Sequence, residues 1–475
     1  MIPHEVPNLV AGEERVPASG EWLEKTRPAD GEQLCRVARS RAEDAAAAVE
    51  AALTAQPLWA AWTVVERGNM VREIAERLRD RRDEAADLVA AETGKPVALA
   101  LGEADAAVEM GYFVAGEGRR FYGRTTTASM PHRTVLTLRR PVGIAALVIS
   151  FNTPLPNIAW KVFPSLLCGN ASVLKPSEHA PLSAWWLGRV ALDCGLPPGV
   201  LNVVHGLGSE VGMPLVEDPR VDLVSFTGSA ATGRAIAEAT GRRLAKTVLE
   251  LGGKNALVVC DDADLERAVE WTLASAFSNA GQRCAAASRV LVFDGVYDAF
   301  RARLLRALES LAPVGPVISE ESMERLLAAV RAERDRGATV LAGGERAGDR
   351  GWHVLPTLVE RVGSDAPLVR EELFGPVATL HRVRDLDEAI ALANDSPYGL
   401  TAAVHTASVH RAMRFAEQVS AGVVVVNAGT HGSEPHMGFG GVKQSGTGWK
   451  EAGLEALDVY SETQYLNLVV DPALA

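Results

Sequence analysis

From Gly143 onward the sequence repeats one unit: an apolar run too short for a helix, then a stretch of about ten to fifteen residues with helical character. The runs Ile144–Ile149, Ala171–Leu174, Leu201–Val204 and Leu223–Phe226 are apolar at most positions instead of alternating, as strands covered on both faces are. Parallel neighbours need a crossover, so the alternation predicts an α/β fold around a parallel sheet. A second such region begins after Gly253 and runs to about Gly441, with Ala256–Val259, Val290–Val292, Val340–Ala342 and Val423–Val426 as its strands. A chain of 475 residues exceeds what one core supports, so two or three domains are expected.

Upstream, Asn8 to Glu13 reads as a strand pair entering a turn, and Asp30-Gly31 as a second turn. Arg41 to Trp62 is an alanine-rich helix with Trp59 and Trp62 on one side, and a single long helix is expected from about Glu66 to Glu92. Its Arg77–Glu84 charge run reads as solvated surface. Residues 98–120 read as a further helix, and Thr125 to Arg140 alternates as a strand pair does.

Composition narrows the function classes. With 48 basic against 60 acidic residues the net charge is −12, which disfavours nucleic acid or an anionic membrane as partner. The five cysteines are far apart and lack ligand spacing, so a reducing cytoplasm and no metal are expected. Cys168, Cys194 and Cys260 read as inert core residues. Residues 1–20 lack a charged head followed by an apolar core, so no signal peptide is expected, and no apolar run reaches membrane-spanning length.

Chemistry concentrates in a few stretches. Cys284 ends Phe277-Ser278-Asn279-Ala280-Gly281-Gln282-Arg283-Cys284, whose small and polar residues can keep a thiol open to a ligand. Glu250 precedes the glycine pair of Leu249-Glu250-Leu251-Gly252-Gly253-Lys254, and Asn152 lies on the loop Ser150-Phe151-Asn152-Thr153-Pro154 just after a strand. Phe226-Thr227-Gly228-Ser229 follows a strand and opens a helix, so its N–H groups suit a pyrophosphate; Ser229 as a plain N-cap is compatible with that role. Gly206, Gly208 and Gly212 miss the dinucleotide spacing by one position and are a weak signal. Lys175-Pro176-Ser177-Glu178 ends a strand, and in a chain with only eight lysines Lys175 stands out.

These motifs, in this order, resemble the aldehyde dehydrogenase superfamily, from the Arg27–Gly31 segment to Gly440–Gly446. The resemblance implies a Rossmann-like cofactor domain (residues 1–122 and 142–251), an α/β catalytic domain (252–441), and a β-arm for oligomerisation (123–141 and 457–475), giving a homodimer or homotetramer. It implies that Cys284 adds to an aldehyde as a thiolate, that Asn152 and the Cys284 N–H hold the oxyanion, and that Glu250 activates water to release the acid. Lys161 is a proton relay or a structural lysine. For the cofactor it implies Lys175 and Glu178 at the adenine ribose, Gly228 and Ser229 at the pyrophosphate, and Glu372 and Phe374 at the nicotinamide end. A carboxylate at 178 favours NAD, with NADP as the open alternative. Phe151, Trp160, Arg283, His431, Ser433 and Phe439 are implied to line the substrate tunnel. The polar members favour a semialdehyde or another polar-tailed aldehyde, and the Asn427–Lys443 segment looks most like ketoglutarate semialdehyde dehydrogenases. Phe151 stands where Trp is more common, and Gly438 where Pro is usual. The competing readings are a non-catalytic NAD-binding scaffold and a coenzyme A-acylating relative, the latter disfavoured by Glu250.

Overall fold

Two seven-stranded sheets organise the protein, whose computed structural model describes residues 2–470 and Ala473. The first runs Lys246–Leu251, Leu223–Gly228, Ile144–Val148, Ala171–Lys175, Leu201–Val203, then Asn8–Val10 and Glu13–Arg15. Its first five strands are parallel, and the N-terminal hairpin adds two antiparallel ones at the edge. Every residue of Ile144–Val148 and Ala171–Lys175 is buried, which accounts for their continuous apolar character. The crossover helix Pro154–Cys168 opens with proline and stops at Gly169, whose φ of 90° lies in the left-handed region.

The second sheet runs Thr339–Ala342, Thr357–Glu360, Val377–Val383, Ala287–Phe293, Asn255–Val259, Thr401–His405 and Val423–Val426. Only its first pair is antiparallel. Both apolar series read from the sequence are therefore strands. Lys246–Leu251, Thr357–Glu360, Val377–Val383 and Thr401–His405 are additional, and their charged or threonine-bearing ends hide them from an apolar-run reading.

The single helix expected over Glu66–Glu92 is two, Val64–Asp80 and Arg82–Thr93. Arg81 leaves the helical region (φ −114°, ψ 23°), pairs with Glu84 at 2.8 Å, and lays its guanidinium over the Trp186 ring. The charge run there is exposed apart from Leu78 and the partly covered Arg81 and Glu84. The helix Ala42–Ala60 docks through Trp59, whose indole N–H donates to the Leu166 carbonyl at 3.0 Å. Cys168 and Cys260 are core residues, but Cys194 is half-buried at a helix end.

A third, antiparallel sheet joins Thr125–Thr127, Arg133–Pro141 and Ser461–Val469. The last strand is buried only at Ser461 and, among the described residues, has an unpaired outer edge. Residues 471, 472, 474 and 475 of the expected arm lie outside the described residues. No helix among the described residues is long and apolar enough to cross a membrane.

Candidate active site

Loops at the carboxyl ends of the first sheet's strands meet the Cys284 loop around a cavity of about 570 Å³, within the range that holds a small molecule. Phe151, Asn152, Trp160, Gly228, Ser229, Glu250, Arg283, Cys284, Glu372, Phe374, His431, Ser433 and Phe439 all line it. Thiol, amide and carboxylate, far apart in sequence, thus face one space. Lys161, Lys175 and Glu178 do not line it.

Cys284 follows a turn in which Asn279 and Ala280 adopt φ of 55° and 52°, a region non-glycine residues rarely enter. Side chains fix this conformation. The Asn279 amide donates to the Asn152 carbonyl at 3.0 Å, and Gln282 accepts from the Ile318 N–H at 2.9 Å while donating to the Pro316 carbonyl at 3.2 Å. Loss of solvent, then the carboxylates of Glu372 and Glu250, push the Cys284 thiol up to about 12.

Asn152 Oδ1 accepts from Asn157 Nδ2 at 3.2 Å. That bond leaves its NH₂ group without an acceptor among the described residues. Glu250 is 5% exposed, and neither carboxylate oxygen has a hydrogen-bond partner among the described residues. Burial, reinforced by the Glu451 carboxylate, raises its pKa well above the usual range against the opposing pull of Lys161 and Lys450.

Glu451 is a wall residue that sequence reading missed. It is fully buried, ion-paired with Lys161, and accepts from Ser225 Oγ at 2.6 Å. Lys161 Nζ also donates to Ser225 Oγ at 2.8 Å, so Lys161 reaches the cavity only through Glu451. Within Trp449-Lys450-Glu451 the glutamate looks like surface charge; the pairing of Glu451 with Phe439 carries it inward.

Ser229 caps the helix Ala230–Gly241, its oxygen accepting from the Thr232 N–H, and the preceding Gly228 ends a strand. Glu372 follows a short helix ending at Arg370 and accepts from the Gly253 N–H at 3.1 Å. A Cβ at Gly252 would collide with its carboxylate, so the glycine is what lets Glu372 approach. Burial lifts Glu372 to about 7. Phe374 (φ 58°) meets Phe151 edge-on at 5.7 Å, and Phe151 meets His179 at 5.8 Å. Beyond that contact, Lys175 Nζ and Glu178 Oε2 pair at 3.3 Å.

At the opposite end Phe439 packs on Trp160 with ring centres 5.4 Å apart. Arg283 has no hydrogen bond or ion pair among the described residues, and its Nε is buried. His431 Nδ1 is likewise buried and unpaired, and burial, then Arg283, pulls the imidazole down to about 4.

A thiol, a free amide and an unpaired carboxylate beside a nucleotide-type sheet edge define a class of enzyme that works through a covalent bond to its substrate. The aldehyde dehydrogenase family model matches residues 16–466, and the chain belongs to that family. It is an NAD(P)-dependent oxidoreductase that converts an aldehyde to a carboxylic acid. It is 36% identical over 468 residues to the succinate-semialdehyde dehydrogenase [NADP(+)] of Escherichia coli (strain K12), covering 96% of each chain. Identity is 38% over 467 residues to the alpha-ketoglutarate semialdehyde dehydrogenase of Haloferax volcanii, covering 96% of this chain and 97% of the relative. The crystal structure of an NAD-dependent aldehyde dehydrogenase from Sinorhizobium meliloti superposes with a TM-score of 0.95 at 34% identity, covering 98% of this chain and 95% of that one.

Proposed function

We propose that the substrate is an aldehyde with a carboxylate tail, a semialdehyde, oxidised through a thioester on Cys284. The observation that carries this reading is the partnerless Arg283 guanidinium on the cavity wall, with His431 and Ser433 on the same wall. The Glu103 carboxylate acts on this cation without forming an ion pair with it, and a half-buried guanidinium with no hydrogen-bonded partner is costly, so an anionic tail supplies the contact it lacks. The semialdehydes named for the two relatives have this chemistry.

Cys284, once deprotonated, adds as the thiolate to the aldehyde carbon, and the resulting oxyanion is held by the Asn152 NH₂ and the Cys284 backbone N–H. The nicotinamide cofactor, when bound, accepts a hydride from that carbon. The residues fit it: Gly228 and Ser229, at a helix N-terminus, would meet its pyrophosphate, and Glu372, brought close by Gly252, would hold its nicotinamide ribose beside Phe374. Lys175 and Glu178, paired at 3.3 Å, would meet the adenine ribose, and a carboxylate at 178 favours NAD over NADP. In its ionised form Glu250 then takes a proton from a water that attacks the thioester carbon; the C–S bond breaks, the carboxylic acid leaves and the Cys284 thiolate is freed. The first sheet with its helices (residues 1–122 and 142–251) forms the cofactor domain and the second (252–441) the catalytic domain. The exposed strand Ser461–Val469 suits pairing with another copy, as a homodimer or homotetramer, and five free cysteines fit a cytoplasmic setting.

Arg283→Met tests the substrate class. Relative to butanal, KM for succinic semialdehyde should rise about 10- to 100-fold. Equal effects on both aldehydes would refute the anchoring role.

A further inference from the structure

Behind Asn152 lies a buried ion pair that the reaction as described leaves unused. Lys95 follows Gly94, whose φ of 76° ends the helix Arg82–Thr93. A Cβ at Gly94 would collide with the Pro316 ring, so this loop is pressed onto the same segment that anchors Gln282. Lys95 is 5% exposed and Glu103 7%, and the two are paired. Lys95 Nζ also donates to the Asn152 carbonyl at 2.7 Å, the oxygen that accepts from Asn279 at 3.0 Å. One backbone oxygen is therefore gripped by an ammonium from the N-terminal helices and by an amide from the Cys284 loop. With Asn157 holding the side-chain oxygen, all three bonds to Asn152 act on its acceptors and leave its NH₂ free.

We propose that Lys95, held by Glu103, is a positioning residue for oxyanion stabilisation, fixing Asn152 relative to Cys284. It touches no reacting atom; it acts through the Asn152 backbone. The geometry has the form such a role requires. An amide that stabilises developing charge must be aimed before the charge appears, and a displacement of about 1 Å can cost about 10²-fold in rate. A loop carbonyl with no grip would leave that aim to a single turn of chain. A purely structural pair would have no need to bridge the Asn152 loop. The inference rests on the proposed role of Asn152, and the experiment separates the two.

The probe is the cofactor-free protein treated with p-nitrophenyl acetate, which acylates Cys284 through an oxyanion, and in parallel with iodoacetamide, which alkylates the same sulfur by direct displacement without one. The variant is Lys95→Met with Glu103→Gln, so that no buried charge is left alone. Acylation should fall about 10²-fold with alkylation unchanged, and the loss should disappear when the pair is changed in an Asn152→Ala background. Parallel losses in both reactions, or the same loss in the Asn152→Ala background, would overturn the positioning role. If Asn152→Ala alone leaves acylation unchanged, the oxyanion assignment itself fails. Glu103→Gln alone is a second route should the double variant not fold. Burial already draws the Lys95 pKa down, with Glu103 opposing, Arg283 adding to the decrease and Glu92 countering it. In Glu103→Gln too, acylation should fall with alkylation unchanged, and parallel losses in the two reactions would overturn the inference.

Discussion

Two glutamates at the same edge of the first sheet have opposite fates. Glu178, past the strand Ala171–Lys175, is held low in pKa: burial alone would raise it, but the Lys175 ammonium, a backbone N–H and His179 outweigh that. Glu250, in the strand Lys246–Leu251, has no partner for either oxygen, and burial with the Glu451 charge drives it the other way. Burial thus does not fix a carboxyl's charge; the partner supplied does. Where the fold sets a cation against the carboxylate, the group acts by its charge, and where the cations stay out of contact, as Lys161 and Lys450 do at Glu250, the group is poised to exchange a proton.

The most severe test of this contrast is Glu250→Gln, which keeps shape and removes the proton acceptor. Steady-state NADH formation should fall about 10²- to 10⁴-fold. A first burst of about one equivalent should survive, because in the proposed mechanism Cys284 and Asn152 suffice for acylation, which precedes the step assigned to Glu250. Rapid-mixing absorbance measurements separate the two phases. A variant with unchanged steady-state turnover would make Glu250 a structural group like any other.

The thiol gives a second, smaller effect. Its pKa is pushed up to about 12 by lost solvent and two carboxylates, so in the cofactor-free protein only a small fraction is thiolate near neutrality. Alkylation by iodoacetamide should therefore climb about tenfold per pH unit between pH 6 and 9. Glu372 ionises within that window, and its new negative charge opposes thiolate formation, so the climb should flatten slightly above its value of about 7. A plateau already reached at pH 7 would mean that the thiol is activated in the free protein despite its surroundings.

The contrast also marks what the sequence could and could not disclose. Ile144–Val148 and Ala171–Lys175 were legible because strands buried on both faces carry their environment in their composition. Cys284, Glu250 and Asn152 were legible through their motifs, since small residues and glycine pairs mark where backbone must yield to a ligand. The strand carrying Glu250 was not, because Lys246 and Thr247 begin it with polar residues. Nor was the break at Arg81, where contacts with Trp186 and Glu84, distant or local, override a continuous helical pattern. Glu451 and Lys95 were invisible for a related reason: a charged residue reads as surface until a long-range contact buries it, through Phe439 for the first and the Asn152 carbonyl for the second.

The paired member of the comparison yields the mildest effect. If Glu178 acts by its charge, Glu178→Gln removes a repulsion between that carboxylate and a 2′-phosphate while leaving a group able to hydrogen-bond a ribose hydroxyl. One like-charge contact at water-like screening is worth about 1 kcal/mol, roughly fivefold in affinity. KM for NADP should drop by about that factor, and KM for NAD should change less, because the amide oxygen still accepts from the free hydroxyl. Lys175 sharpens the expectation. Released from its 3.3 Å partner, its buried ammonium gains most from a phosphate placed beside it, so lowering the ionic strength should widen the gain for NADP. An unaltered ratio of the two KM values at every ionic strength would show that Glu178 is neutralised by Lys175 in place, and that the satisfied carboxylate at this edge, unlike the unsatisfied one, takes no part in choosing a ligand.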